Sequence, residues 1–289
     1  MAVFRISYFS ECYQRLTRIN VLLPVDTPLP PGVAREWKPL KTLYLLHGYL
    51  GNCDDWLYNS LIAEMSMQFD IAVVMPDGVN GFYVDQPSSG IRGSEMIGRE
   101  LIEITRKMFP LSSKREDTLI GGLSMGGYGT LYNSLRYGDV FGHAIALSTP
   151  VKVLRYESEH EPKNLDRGLS PEYFKALHGD VTKVNETDRN IALFAKETLD
   201  AGHPISNLYI ACGYNDSLVP ENRELHEQLN VMGFPHFYEE GEGTHDWPFW
   251  NAFLRRGLVH ALGEPKIPPH PFWVKKTEYV PNMPERSAC

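Results

Sequence analysis

Five short apolar runs dominate the chain: LYLLHG (43–48), IAVVMPDG (71–78), DTLIGGLS (117–124), FGHAIALS (141–148) and NLYIACG (207–213). They are strand-sized and apolar along most of their length, so they do not alternate apolar with polar. Such strands bury both faces. Amphipathic helical patterns lie between them. In 96–108, Met96, Ile97, Leu101, Ile104 and Met108 keep helical spacing. After Pro220, Leu225, Leu229 and Met232 share a face, and Gly233 suits the position just past a helix end. Strands alternating with helices imply an α/β chain: a mostly parallel, doubly wound sheet with helices on both faces. Two earlier segments, Val3–Phe9 and Tyr13–Leu23, read as an antiparallel lead-in, followed by a proline-dense loop over 24–39.

The expected organisation is one domain over residues 1–264 and a proline-rich arm over 265–289. Within the domain, residues 150–205 interrupt the alternation. They are polar, with helical patches at Pro171–Leu177 and Asn190–Leu199, and read as a small insertion or cap. The arm carries Phe272, Trp273 and Tyr279 among its prolines, so it is either a tail or an extended segment docked on the body or on a second copy, as in a homo-oligomer.

Composition removes several classes of function. With 289 residues, 43% hydrophobic and 22% charged, the chain can build a core without disulfide or metal staples. The net charge of −8 and the lack of a Lys/Arg-rich run argue against nucleic-acid binding. No apolar run reaches membrane-spanning length, and the N-terminus has no secretory pattern. The four cysteines, Cys12, Cys53, Cys212 and Cys289, form no CxxC pair. Reduced thiols in a cytoplasmic protein are the plainest reading. Nothing has metal-ligand spacing, and no cofactor is implied.

The most informative residues are Gly122-Leu123-Ser124-Met125-Gly126. They match G-x-S-x-G, with an apolar strand before them and a helical pattern after them. A serine in such a strand-to-helix turn stands at the top of the sheet with its Oγ exposed. Its hydroxyl needs a base to become a nucleophile. His245, in the glycine-rich segment GEGTHDWPFW, follows the strand-like FYEE and precedes a helix opened by Pro248. It is the best-placed base. His226 lies within a helix pattern, His236 begins a strand and His260 ends a helix. His143 adjoins a buried strand, and His160, His178 and His203 lie in the insertion. The acid is expected after a strand and before the histidine. Asp216, just past NLYIACG, meets both conditions. Asp246 adjoins His245 but reads as a helix-start residue, and Asp200 precedes a loop in the insertion. A second signal, His47-Gly48-Tyr49-Leu50-Gly51, follows the first buried strand. There a backbone N–H of Tyr49, or alternatively Leu50, joins that of Met125 in an oxyanion hole.

The segments YLLHGYLGNCDDW, VVMPDG, GGLSMGGYGTL, LYIACGYNDSLVPENRELHEQL and GTHDWPFW together resemble the esterase D-like branch of the α/β-hydrolases. That branch holds tributyrin-type short-chain esterases, S-formylglutathione hydrolases, and feruloyl and acetyl-xylan esterases. The stretch GLSMGGYGTL resembles the tributyrin type more than the S-formylglutathione hydrolases, which usually carry histidine where Tyr128 stands. The resemblance implies an α/β-hydrolase fold. It also implies a triad of Ser124, Asp216 and His245, and an oxyanion hole of Tyr49 and Met125. The expected function is a serine carboxylesterase acting on a small-molecule ester of short acyl chain through an acyl-enzyme. Feruloyl or acetyl-xylan esterase and S-formylglutathione hydrolase are the alternatives within the family, and a non-catalytic binding protein on the same scaffold is the alternative outside it. Trp56, Phe82, Tyr83 and Trp247 are the aromatic candidates for lining an ester pocket, although aromatics this near loops are as often packing residues.

Overall fold

The computed structural model describes residues 1–26, 37–152, 170–180 and 182–265. The polar run 157–167 of the insertion, and the arm beyond residue 265, lie outside them. Strands β1 (Ala2–Ser10), β2 (Arg15–Leu23), β3 (Lys41–Leu46), β4 (Ile71–Pro76), β5 (Thr118–Leu123), β6 (His143–Leu147), β7 (Asn207–Gly213) and β8 (Phe237–Gly241) form one sheet in the order β1-β2-β4-β3-β5-β6-β7-β8. β1 and β2 form an antiparallel hairpin, with Ile6 opposite Ile19, and β2 runs antiparallel to β4. Neighbouring strands from β4 through β3 to β8 pair in parallel. The expected α/β architecture and its antiparallel lead-in are therefore present, and the five runs are β3 to β7.

The run-like composition of the strands follows from two-sided burial. On β3, Tyr44 and Leu46 face one core with Ala72, Val74 and Ile120. Leu43 and Leu45 face the other, with Val73, Leu119 and Ile145. Because side chains alternate along a strand, a central strand covered on both faces must be apolar at every position. The first face is covered by α3 (Leu101–Met108) and α4 (Met125–Arg136), the second by α2 (Ile62–Phe69) and α8 (Trp247–Leu262); the short helix α1 (Asp55–Asn59) precedes α2. Residues Met96–Glu100 ahead of α3 form a π-helical turn. The α7 helix (Val219–Met232) ends at Gly233 with φ of 71°, a left-handed closure that glycine adopts without strain.

The insertion contributes α5 (Pro171–His178), capped by Ser170, and α6 (Ile191–Asp200), capped by Asn190. Phe194 of α6 packs on Tyr132 of α4 at 5.5 Å between ring centres. Phe174 of α5 lies 6.3 Å from Phe82, and its neighbour Tyr173 lies 6.0 Å from Tyr49. The described part of the insertion thus sits beside the loop that follows β3.

His178 ends α5 with both ring nitrogens buried and without hydrogen-bond partners, its ring parallel to that of Phe174. Burial, then the nearby Arg189 charge, push its pKa down to about 3. The folded protein therefore keeps the ring neutral, whereas the unfolded chain takes up a proton near pH 6.5. Between those values the unfolded state binds more protons. His178 should thus cost stability as pH falls, at about 1.4 kcal/mol per unit, or roughly 2 kcal/mol by pH 5. His178→Phe keeps the ring stacking and cannot be protonated. Its melting temperature should fall less than the wild type's between pH 7 and 5; parallel curves would refute this reading.

Candidate active site

β4 lies on one side of β3 and β5 on the other. The winding direction reverses between β3 and β5, so a crevice opens outside their carboxyl ends, where such sheets bind ligands. Ser124 follows β5 there, with φ of 53° and ψ of −119°. This is a left-handed conformation that costs a non-glycine residue about 1–3 kcal/mol and is found at functional turns. The surroundings enforce it. A Cβ on Gly122 would sit 2.5 Å from the Gly126 carbonyl oxygen, and one on Gly126 would sit 2.4 Å from that of Leu46. The G-x-S-x-G glycines are thus needed for the strand and helix to pass this closely. Ser124 N–H donates to the Leu147 carbonyl at 2.8 Å, tying the turn to the end of β6.

His245 comes from the loop between β8 and α8. Its Nε2 lies 3.0 Å from Ser124 Oγ, and its Nδ1 lies 2.8 Å from Asp216 Oδ2. Asp216 stands just beyond β7, its side chain 0% exposed against 37% for His245. Burial pushes the Asp216 carboxyl up. Hydrogen bonds from His245 and the Leu218 N–H outweigh it and hold the group below the usual aspartate range. An ionised, buried carboxylate on Nδ1 fixes the imidazole tautomer, leaving Nε2 as the acceptor facing the serine hydroxyl. The structure thus brings together the three residues the sequence singled out.

The loop after β3 is tied down by buried hydrogen bonds. His47, 1% exposed, accepts a bond from Gly78 N–H on Nε2 at 2.9 Å and reaches the Gly48 carbonyl through Nδ1 at 2.8 Å. Burial lowers its pKa, so it stays neutral. Tyr83 donates to the His47 carbonyl at 2.9 Å. The Leu50 N–H is committed to Asn80 Oδ1 at 2.8 Å, which counts against Leu50 as an oxyanion donor. Tyr49 lies against Phe82 and Tyr173. Met125, the other candidate donor, opens α4 directly after Ser124.

The aromatic candidates separate by burial. Trp56 and Tyr83 are 0% exposed. Trp56 Nε1 donates to the Leu46 carbonyl at 2.9 Å, so both residues brace the loop after β3 from within the core. Phe82 is buried among Tyr49, Tyr128 and Phe174, and Trp247 is wedged between Trp56 and Trp250. Other histidines are engaged elsewhere. His226 pairs with His236 at 2.8 Å, and His260 pairs with Asn207 at 3.0 Å. Asn80, Ser148 and Trp250 carry weight at the site that the sequence reading did not give them. Asn80 and Ser148 are single polar residues in the loops after β4 and β6, with no motif of their own, and Trp250 lies in the GTHDWPFW segment, where the sequence singles out His245 and Trp247 instead.

Asp246, next to His245, turns away from the imidazole. Its Oδ1 accepts the Phe249 N–H at 3.1 Å, capping α8, and its Oδ2 accepts from Thr244 at 2.9 Å. Asp246→Ala should therefore cost about 1 kcal/mol of stability by loss of the cap. Turnover should change only severalfold, as measured by thermal melting and p-nitrophenyl ester assays. A loss in kcat larger than that of Asp216→Asn would contradict the capping role.

A doubly wound, mostly parallel sheet with a strained serine at its switch point, hydrogen-bonded to a histidine whose other ring nitrogen meets a buried aspartate, defines an α/β-hydrolase. The Esterase family matches residues 10–261 of the chain. The chain is 42% identical over 259 residues to an acetyl esterase of Caldicellulosiruptor saccharolyticus, covering 88% of this chain and 96% of that relative. It is similar in structure to an S-formylglutathione hydrolase of Staphylococcus aureus, with a TM-score of 0.76, 27% identity, and coverage of 90% of this chain and 98% of that one. It is also similar to a fluorophosphonate-binding serine hydrolase of the same organism, with a TM-score of 0.77, 28% identity and the same coverage. The chain belongs to the Esterase family and is a serine esterase, a carboxylic ester hydrolase. Among the described residues no helix is long and apolar enough to cross a membrane.

Proposed function

We propose that the protein hydrolyses esters of short acyl chains, acetyl to butyryl, through an acyl-enzyme on Ser124. The observation that carries this reading is the unbroken chain from Ser124 Oγ through His245 to Asp216, at 3.0 and 2.8 Å. Ser124 attacks the ester carbonyl while His245 Nε2 takes its proton. The Tyr49 and Met125 N–H groups receive the oxyanion, and His245 returns the proton to the departing alkoxide. Water repeats the sequence to release the acid. Asp216 keeps the imidazole oriented and stabilises its cationic form. The 42% identity to an acetyl esterase supports the small acyl group.

Acyl length is the direct test. Each buried CH₂ adds about 0.8 kcal/mol, or roughly fourfold, as long as the pocket extends. Phe82, Tyr83 and Trp56 are closed into the protein rather than arranged along an open tunnel, so that gain should stop early. On p-nitrophenyl esters kcat/KM should peak between acetyl and butyryl and fall by octanoyl. A steady climb to long chains would contradict this. A strong preference for methyl ferulate, acetylated xylan or S-formylglutathione would move the enzyme to another branch of the family.

The described thiols Cys12, Cys53 and Cys212 are buried and unpaired, which supports a reducing, cytoplasmic setting. The C-terminal arm is proposed to dock on the body or on a second copy. Light scattering of the full chain against one truncated after residue 264 tests the oligomer.

A further inference from the structure

We propose that Ser148 and Trp250 are positioning residues for the acid–base pair: the Trp250 indole orients the Ser148 hydroxyl, which donates its proton to the Asp216 carboxylate, and the same indole walls in the His245 ring. The proposal rests on the assignment of Ser124, His245 and Asp216 made above.

Ser148 directly follows β6, is 0% exposed, and adopts φ of 48°. Its N–H donates to the Ala211 carbonyl at 2.8 Å, which joins the end of β6 to β7, the strand that leads to Asp216. Trp250 Nε1 lies 3.1 Å from Ser148 Oγ. An indole nitrogen can only donate. The serine oxygen is therefore the acceptor there, and its own proton is left to point elsewhere. The carboxylate of Asp216 is the neighbouring acceptor, and Ser148 is among the side chains whose hydrogen bonds favour its charge. The Trp250 ring stands at 87° to the His245 ring with centres 5.0 Å apart.

Two functions thus meet in one indole. Its N–H end sets the direction of the donor to Asp216, and its ring limits how far His245 can swing. Trp250 is in turn held by α8, whose first turn is capped by Asp246. The HDWPFW segment therefore supplies the base from its first residue and the support for that base from its last. Among the described residues the Cys212 thiol, at the end of β7, is also electrostatically coupled to Asp216, and burial keeps it protonated. It brings no competing charge.

Removing the hydroxyl has a predictable sign. Without the Ser148 donor the Asp216 carboxylate is more basic and holds the imidazolium proton more tightly. The acid limb of the rate profile then moves to higher pH. A role in the backbone alone would not move it. Ser148→Gly separates the two, because glycine adopts a positive φ without strain while lacking the hydroxyl.

The experiment is kcat/KM on p-nitrophenyl butyrate from pH 5 to 9 for the wild type, Ser148→Ala, Ser148→Gly and Trp250→Phe, with Ser148→Ala repeated in an Asp216→Asn background. Both serine variants should lose about tenfold in kcat, the size of one hydrogen bond to a charged group. KM should be little changed, and the acid limb should shift upward. Trp250→Phe keeps the ring and loses the donor, so it should show a smaller loss and a shift of the same sign. In the Asp216→Asn background, Ser148→Ala should cost nothing further. A wild-type rate and profile for Ser148→Gly would overturn the proposal, as would an equal loss with and without the Asp216 carboxylate. If Ser148→Ala does not fold, wild-type behaviour of Trp250→Phe overturns it. Full activity in Ser124→Ala would instead overturn the nucleophile assignment, which is a separate outcome.

Discussion

Ser124→Ala is expected to remove nearly all ester hydrolysis, by about 10⁶-fold in kcat if the loss matches the template serine hydrolases. The protein should stay folded. Ser124 Oγ makes its hydrogen bond to a partly exposed histidine, so its loss leaves no buried polar atom unpaired. Alanine meets the positive φ of the turn at the same cost as serine, since both carry a Cβ. The strain belongs to the position and not to the hydroxyl. The melting temperature should therefore stay near that of the wild type, within the range of a surface substitution at about 0.5 kcal/mol. A fluorophosphonate probe should label the wild type at Ser124 and leave the variant unlabelled, as read by mass spectrometry of the modified peptide. Labelling at another residue with Ser124 untouched would sink the assignment. The residual rate of Ser124→Ala measures what the oxyanion donors and binding supply alone, because the backbone N–H groups of Tyr49 and Met125, the proposed donors, are left in place by the substitution.

The fold was legible because its signals are local and repeated. Two-sided burial made β3 to β7 apolar along most of their length, and the alternation with amphipathic segments was enough to name a parallel sheet. The candidate nucleophile was legible because three constraints coincide at one place: a strand, glycines without room for a Cβ, and a helix start. His245 and Asp216 followed from chain order and from strand ends, since the carboxyl ends of the strands face one crevice. The aromatics were harder to place. Trp56 and Tyr83 adjoin loops in sequence, as pocket residues do, yet they point inward to bond the Leu46 and His47 carbonyls. Only the three-dimensional path of the loop decides between the two. Ser148 was harder still. A serine after a strand carries no periodicity, and its meaning depends on an indole 102 residues away. The π-helical turn at Met96–Glu100 was likewise invisible: Met96, Ile97, Leu101, Ile104 and Met108 read as one continuous helical face, whereas the structure buries Thr105 and leaves Met108 exposed.

Asp216→Asn is expected to lower kcat by about 10⁴-fold, as in the template triad, while Asp246→Asn changes it only severalfold. The reason lies in what surrounds each oxygen. Asp216 Oδ1 accepts the Leu218 N–H at 2.9 Å and Oδ2 accepts from His245 Nδ1 at 2.8 Å. Asparagine can satisfy one of these but not both. With its carbonyl toward Leu218, its amide faces the imidazole and forces the proton onto Nε2, so His245 can no longer accept from Ser124. With its carbonyl toward His245, its amide meets the Leu218 N–H, donor against donor. The imidazolium also loses its counter-charge in either arrangement. A stability change follows with a definite sign. Asp216 is held below its usual pKa, so its contribution is present above about pH 4, the unfolded value, and is lost as pH falls through the folded one. Asp216→Asn should therefore be less stable than the wild type at pH 7, with the gap narrowing under acid. Asp246 has no such surroundings: it caps a helix, and asparagine is as good a cap. Comparable kcat losses at the two positions would mean that the buried carboxylate is not the one orienting His245. A larger loss at Asp246 would make the capping residue the acid and would require the His245 loop to refold in the active state.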